Sequence, residues 1–191
     1  MSAETKQKVD ILIHAKWIIP VVPKNLELED HSIAILGRKI LDICPTEEAK
    51  VRFHSDETVD LGHHIIFPGL INAHGHAPMT LFRGVADDIP LKQWLEEKIW
   101  PLEGKFVDAK FARQGAELAI AEMIRSGTSC FADMYFFPDE VAKAALEAKI
   151  RVQLASPVLD FPTIWAQDAD EYIAKATQLH DDCRNNELIS T

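Results

Sequence analysis

PGLINAHGHAPMTLFRG, residues 68–84, is the stretch on which the reading of this chain turns. Pro68-Gly69 marks a turn, Leu70 and Ile71 open a strand-like run, and His74 and His76 follow one residue apart. Residues i and i+2 of a strand point to the same face of a sheet. If residues 70–76 are extended, Leu70, Asn72, His74 and His76 share a face, and two neutral imidazoles there can converge on one cation. The pair alone is a weak signal in a chain with 8 histidines. Adjacent His63-His64 face opposite ways on a strand and read as structural. His14, His31, His54 and His180 belong to no constellation and read as surface or packing residues.

Upstream of this stretch the chain reads as strands. VDILIHAKWII is rich in β-branched residues and stops at Pro20, and SIAILGRKILDI forms two apolar alternations joined at Gly37-Arg38, a hairpin signal. ETVDLGHHIIF leads into the motif, and no helix is expected here beyond a turn near PTEEAKVRF. Downstream the rhythm changes. IPLKQWLEEKIW places Leu91, Trp94, Leu95 and Ile99 on one helical stripe after Pro90. VDAKFARQGAELAIAEMIRSG reads as a helix capped by Asp108 and closed at Gly127. TSCFADMYF is strand-like, PDEVAKAALEAK helical, IRVQLASPVLD strand-like and DADEYIAKATQLHDDC helical, and NNELIST opens a further strand. Strands alternating with helices predict an α/β fold with a parallel sheet. Three strand–helix units and the start of a fourth strand are expected where a closed (β/α)8 barrel needs eight. The expected domains are therefore residues 1–66, strand-rich, and residues 67–191, the first part of a barrel, with the chain as a whole incomplete.

Composition excludes several classes. A net charge of −10 and the lack of a basic run argue against a nucleic-acid coat or an anionic membrane surface as partner. Hydrophobic residues at 47% and charged residues at 26% are the balance of a soluble globular protein. MSAETKQKVD lacks the apolar core of a signal peptide, and no apolar run is long enough to span a bilayer. Cys44, Cys130 and Cys183 are widely spaced and odd in number, which reads as reduced thiols and a cytoplasmic location.

The whole run IIFPGLINAHGHAPMTLFRGVADD resembles the first barrel strand of the amidohydrolase superfamily, and HAPMTLFRGVADDIPLKQWLEEKIWPLEGKFV is similar to its 5′-methylthioadenosine/S-adenosylhomocysteine deaminase branch. The likeness continues through RSGTSCFADMYFFPDEVAKAALEAKIRV, and residues 1–66 resemble part of the small β-sandwich that the superfamily attaches to its barrel. The resemblance implies that His74 and His76 ligate one divalent metal, zinc first and iron second. It implies that Glu103 accepts hydrogen bonds from the two ribose hydroxyls, which suits a carboxylate facing a vicinal diol. Trp94 either packs or lines the pocket where a purine stacks. In the family the metal activates water to attack C6 of adenine, with further ligands and a proton shuttle from later strands, so no catalytic proton-transfer residue is expected within residues 1–191. On this basis the chain alone is expected to bind metal weakly and to lack activity, and the full-length enzyme is expected to be a homo-oligomer, dimer or tetramer.

Other residues receive plainer readings. Asp133 is expected to hydrogen-bond in a buried place rather than do chemistry. Asp87-Asp88 reads as a loop feature, and Arg83 holds either a carboxylate or a neighbouring loop. Some family members acting on S-adenosylhomocysteine carry an arginine at the end of the third strand, where Ser156-Pro157 stands here. A serine cannot supply that charge-assisted contact, which favours methylthioadenosine or adenosine as substrate. Two alternatives remain: another amidohydrolase, such as a triazine or guanine hydrolase, and a non-catalytic fragment that binds or assembles.

Overall fold

The computed structural model describes residues 5–191; residues 1–4, at the head of the N-terminal stretch read as lacking a signal-peptide core, lie outside the described set. The chain divides into two compact units at Pro68 and Gly69. No helix among the described residues is long and apolar enough to cross a membrane.

The first unit contains β1 (Gln7–Ile18), β2 (Leu28–Leu36), β3 (Lys39–Pro45), α1 (Thr46–Arg52) and β4 (Phe53–Ile66). They form one sheet in the order β3-β2-β1-β4, with β1 antiparallel to β2 and parallel to β4. Gly37 turns the β2–β3 hairpin at φ 60°, the left-handed region that a side chain disfavours. Val9, Leu12, Ala34, Cys44 and Phe53 are buried together. The helix α1 is a full element where only a turn was expected. Its acidic first turn (Glu47, Glu48) and basic last turn (Lys50, Arg52) complement the helix dipole, but Ala49 is its one buried residue, so it carries no apolar period to read. The N-terminal half of a small sandwich was expected here, and the described residues of this unit form one four-stranded sheet and one helix.

The second unit contains β5 (Leu70–Asn72), a 3-10 helix (Ala77–Phe82), α2 (Leu91–Gln93), a π-helical segment (Trp94–Ile99), α3 (Trp100–Phe106), α4 (Ala109–Arg125), β6 (Thr128–Met134), α5 (Pro138–Ala148), β7 (Arg151–Ala155), α6 (Ala169–Cys183) and β8 (Ile189–Ser190). The four strands run parallel in the order β5-β6-β7-β8. The expected caps of α4 form: Asp108 accepts from Phe111 N at 2.7 Å and Gly127 closes the helix at φ 86°. Asp168 caps α6 as well, accepting from Glu171 N at 2.9 Å. One face of the sheet packs on the helices through Phe131, Val152 and Leu154 from the strands and Ala116, Ile120, Val141 and Ala145 from α4 and α5. Burying each of the larger side chains is worth roughly 1.5–3 kcal/mol. The opposite face carries Ala132, Met134, Gln153 and Ala155. Because the strands are parallel, their C-terminal ends lie on one side, where the segments after β5, β6 and β7 gather.

The helix expected over residues 90–100 is a composite that continues to Phe106. Trp100 N donates to Leu95 O, five residues back, which is the π pattern. Pro101 follows at once and has no N–H to give to a regular ladder. The widened turn takes up the mismatch and lets the helix pass through the proline.

Candidate functional site

The two histidines stand just past β5, not on it. The strand ends at Asn72, whose Oδ1 accepts from His74 N at 3.3 Å, so the chain bends where an extended run to residue 76 was expected. Pairing with β6 resumes at Gly75, whose carbonyl accepts from Met134 N at 3.2 Å. A side chain on Gly75 would place Cβ 2.9 Å from the Ala132 carbonyl oxygen, so the residue between the histidines must be glycine for the backbones to approach this closely. The bend still brings the two rings together, with centroids 5.2 Å apart and planes perpendicular.

His76 Nδ1 lies 2.7 Å from the Met134 carbonyl oxygen. A carbonyl only accepts, so Nδ1 carries the proton and donates, and the neutral ring keeps a lone pair on Nε2. That is the arrangement by which an outer partner fixes the tautomer of a ligating histidine. The donor chemistry therefore fits a divalent metal held by His74 and His76. Among the described residues no three histidine, cysteine, aspartate or glutamate side chains cluster closely enough to hold an ion, whereas a tight zinc site normally takes three protein ligands. The residues present fit as part of a donor set.

Beside the histidines lies a cavity of about 290 Å³. His76 and Met79 form one end; Trp94, Leu95, Ile99 and Trp100 line it from the helical run 91–106; Met134, Tyr135, Pro157 and Leu159 close it. Glu103 faces this cavity and Tyr135 Oη donates to its Oε1 at 2.8 Å. Burial raises the Glu103 carboxyl above the usual range, while the Tyr135 bond and the nearby His76 pull it back. Burial raises the Tyr135 phenol as well, and the Glu103 charge adds to this. Tyr135 is itself buried among Phe82, Val107 and neighbouring aromatic rings.

Asp133 is buried at 3% exposure. Its Oδ1 accepts from Ala77 N at 2.5 Å, which ties β6 to the segment after His76. Oδ2 has no partner, and burial pushes the carboxyl up to about 6, against the pull of the Ala77 N–H and of His76. Phe131 and Asp133 alternate along the buried face of β6, with Tyr135 just past its end, so the structure gives Asp133 the hydrogen-bonding place expected of it.

The structure thus brings His74, His76, Trp94 and Glu103 to one region of the second unit. It does not bring Arg83 there. Arg83 pairs side-on with Glu122 of α4, at 2.9 and 2.6 Å, which resolves its two readings in favour of a carboxylate of this chain. His63 and His64 lie in β4, and His14 hydrogen-bonds Ser32 Oγ at 2.6 Å inside the first unit. Asp87 and Asp88 lie in a loop. Tyr135 and the Met134 carbonyl were not anticipated. A tyrosine two residues past a strand aspartate was the available signal for the first, and a backbone carbonyl offers none.

Comparison with known proteins places this geometry. The chain is 46% identical over 185 residues to the 5-methylthioadenosine/S-adenosylhomocysteine deaminase of Saccharophagus degradans, covering 97% of this chain and 42% of the relative. It is 46% identical over 144 residues to the 5′-deoxyadenosine deaminase of Methanopyrus kandleri, covering 74% of this chain and 33% of the relative. The chain therefore spans about two fifths or less of the length of these relatives. The crystal structure of an adenosine deaminase from Xanthomonas campestris with bound zinc superposes with a TM-score of 0.96 at 44% identity, over 98% of this chain and 43% of that one. The zinc complex of the atrazine chlorohydrolase from Arthrobacter aurescens, at 23% identity, shares the fold with a TM-score of 0.81, over 94% of this chain and 45% of that one. The model of the Amidohydrolase family matches residues 65–190, which is more than half of the chain and includes every residue of the site, and the chain belongs to that family.

Proposed function

We propose that this chain is part of a metal-dependent aminohydrolase that deaminates an adenosine-type nucleoside at C6 and releases ammonia. 5′-Methylthioadenosine is the favoured substrate, with adenosine and S-adenosylhomocysteine as the other choices. The observation that carries the reading is His76, its Nδ1 held by the Met134 carbonyl and its Nε2 left with a lone pair, beside a cavity that also contains Glu103. The names of the relatives support the reaction class.

His74 and His76 would hold a divalent metal, zinc before iron, with further ligands from outside residues 1–191. When bound, the metal supplies the Lewis acidity that makes water a nucleophile at neutral pH. The remaining work falls to the protein. Glu103, with Oε1 engaged by Tyr135, offers its other oxygen and remaining lone pairs to a vicinal diol. Trp94 gives an aromatic wall on which a purine can stack, and the apolar lining excludes water around the base. Ser156 and Pro157 follow β7 with no positive charge, which favours a nucleoside without an anionic tail.

The test is ammonia release by the full-length protein from the three nucleosides. We expect inosine-type product, and a loss of more than about 100-fold in kcat/KM together with loss of bound metal in His74→Ala and His76→Ala. Inertness toward all adenosines would sink the reading and leave a triazine or guanine hydrolase, or a non-catalytic protein, in its place. The 191-residue chain alone is expected to bind metal weakly and to show no turnover.

A further inference from the structure

Among the described residues Asp133 is the one buried acidic side chain. Its setting is apolar: Phe131 precedes it on the same face of β6, and Leu154 stands opposite it on β7. A leucine suits such a face, whereas a carboxylate making a single hydrogen bond there is costly. What the carboxylate supplies is an acceptor for Ala77 N, one residue beyond His76. We propose that Asp133 is a positioning residue for His76. It holds the peptide after that histidine, so that the ring is aimed before a metal arrives, while His74 adapts to the metal second. The inference rests on the metal-ligand reading above and adds to it the side chain that aims one of the ligands.

A residue's backbone has two soft dihedrals, and each is fixed by one of the flanking peptide planes. His76 has φ −130° and ψ 70°, the values of neither helix nor strand, so no regular ladder holds it. That task falls to β6. In the peptide before His76, the Gly75 carbonyl accepts from Met134 N at 3.2 Å. In the peptide after it, the His76 carbonyl accepts from Met79 N at 2.9 Å, and Ala77 N donates to Asp133 Oδ1 at 2.5 Å. Ala77 N is the donor that the turn leaves over, because Pro78 has no N–H and Met79 N is already paired. With both planes held, the Met134 carbonyl, 2.7 Å from Nδ1, sets the ring itself. Two consecutive residues of β6 thus grip three consecutive residues of the loop. His74 is built differently. Its N–H donates to Asn72 Oδ1 at 3.3 Å, and its ring has the His76 ring edge-on beside it but no hydrogen bond among the described residues.

Aspartate, asparagine and leucine share a shape branched at the γ atom, and only the first two accept a hydrogen bond. In the full-length protein stripped of metal, Asp133→Leu should weaken zinc binding by about 10–100-fold, as for loss of an outer partner of a ligand. Asp133→Asn should bind near wild type. Leu179→Ala, in the core of the same unit, controls for stability alone: it should lower the unfolding temperature and leave zinc affinity unchanged. A second measurement needs neither variant nor metal, and decides even where Asp133→Leu fails to fold. In metal-free wild type labelled with ¹⁵N at histidine, above the pH range in which the ring titrates, His76 should show a fixed Nδ1–H tautomer and His74 an average of two. Four results would each overturn the positioning role and leave metal binding standing. They are unchanged zinc affinity in Asp133→Leu, equal weakness in Asp133→Asn, an equal loss in Leu179→Ala, and a His76 ring averaged like His74. No zinc binding by the wild type overturns the metal reading and this inference with it.

Discussion

At the scale of single residues, the site depends on how each polar atom is held. Tyr135 keeps Glu103 in one orientation, and its bond pulls the carboxyl pKa down against the upward push of burial. Tyr135→Phe removes that pull. The Glu103 pKa then rises, and the acid limb of the KM profile for a ribonucleoside should move to higher pH. The accompanying loss in kcat/KM should be about 10-fold or more, as for a hydrogen bond to a charged group, and smaller for the 2′-deoxynucleoside. An unmoved acid limb would contradict the role given to Tyr135. Asp133 makes a different prediction. Its folded pKa of about 6 stands above the ordinary value of 3.8. Stability associated with its neutral form is present below about pH 4 and is lost as pH rises through about 6. In metal-free protein, the stability of the wild type relative to Asp133→Asn should therefore decline across that window, by up to ~3 kcal/mol. Chemical denaturation at several pH values measures it, and a level or rising difference would refute it. That His74, His76, Trp94 and Glu103 would lie in one region was legible because their motif is local in sequence. Tyr135 was not, since a tyrosine at a strand end reads equally well as packing, and its partner lies 32 residues away.

At the scale of elements, α4 sets the position of the segment that carries His76. A Cβ on Gly115 would sit 2.4 Å from the Pro78 carbonyl oxygen and 2.7 Å from Pro78 Cα, both backbone atoms that cannot step aside. Gly115→Ala gains about 1 kcal/mol of helix propensity, but the overlap should outweigh it, for a net loss of about 1–3 kcal/mol. Zinc affinity should fall as well, because Pro78 is two residues from His76. Gly104→Ala, in α3, meets nothing within 4 Å and serves as the comparison, with a small gain in stability expected. Thermal unfolding and a zinc titration of the two variants decide the matter; parallel behaviour would refute the packing argument. Helix limits were legible where a cap was read in the chain, as at Asp108 and Gly127. The helix α1 was not, because it lacks an apolar stripe. The end of β5 was not either, because the Asn72 turn interrupts an alternation that would otherwise continue to His76.

At the scale of the whole molecule, the alternating pattern after residue 68 was enough to foresee four parallel strands with helices between them, since each βαβ unit repeats one local signal. The first unit was harder, because strand pairing over long separations, such as β1 beside β4, leaves no local trace. The π-helical turn from Trp94 to Ile99 shows a second kind of hidden information. In a regular α-helix, nine residues turn through about 900°, which would set Trp94 and Glu103 on opposite sides. One surplus residue in a wide turn retards everything after it by about 100°, and the two side chains come round to the same cavity. The site is therefore encoded in phase as well as in identity. Straightening the wide turn with every residue kept would leave Trp94, Glu103, Tyr135 and both histidines in the chain and still rotate the carboxylate out of reach, whereas deleting one residue between Trp94 and Ile99 would remove the surplus and keep the phase.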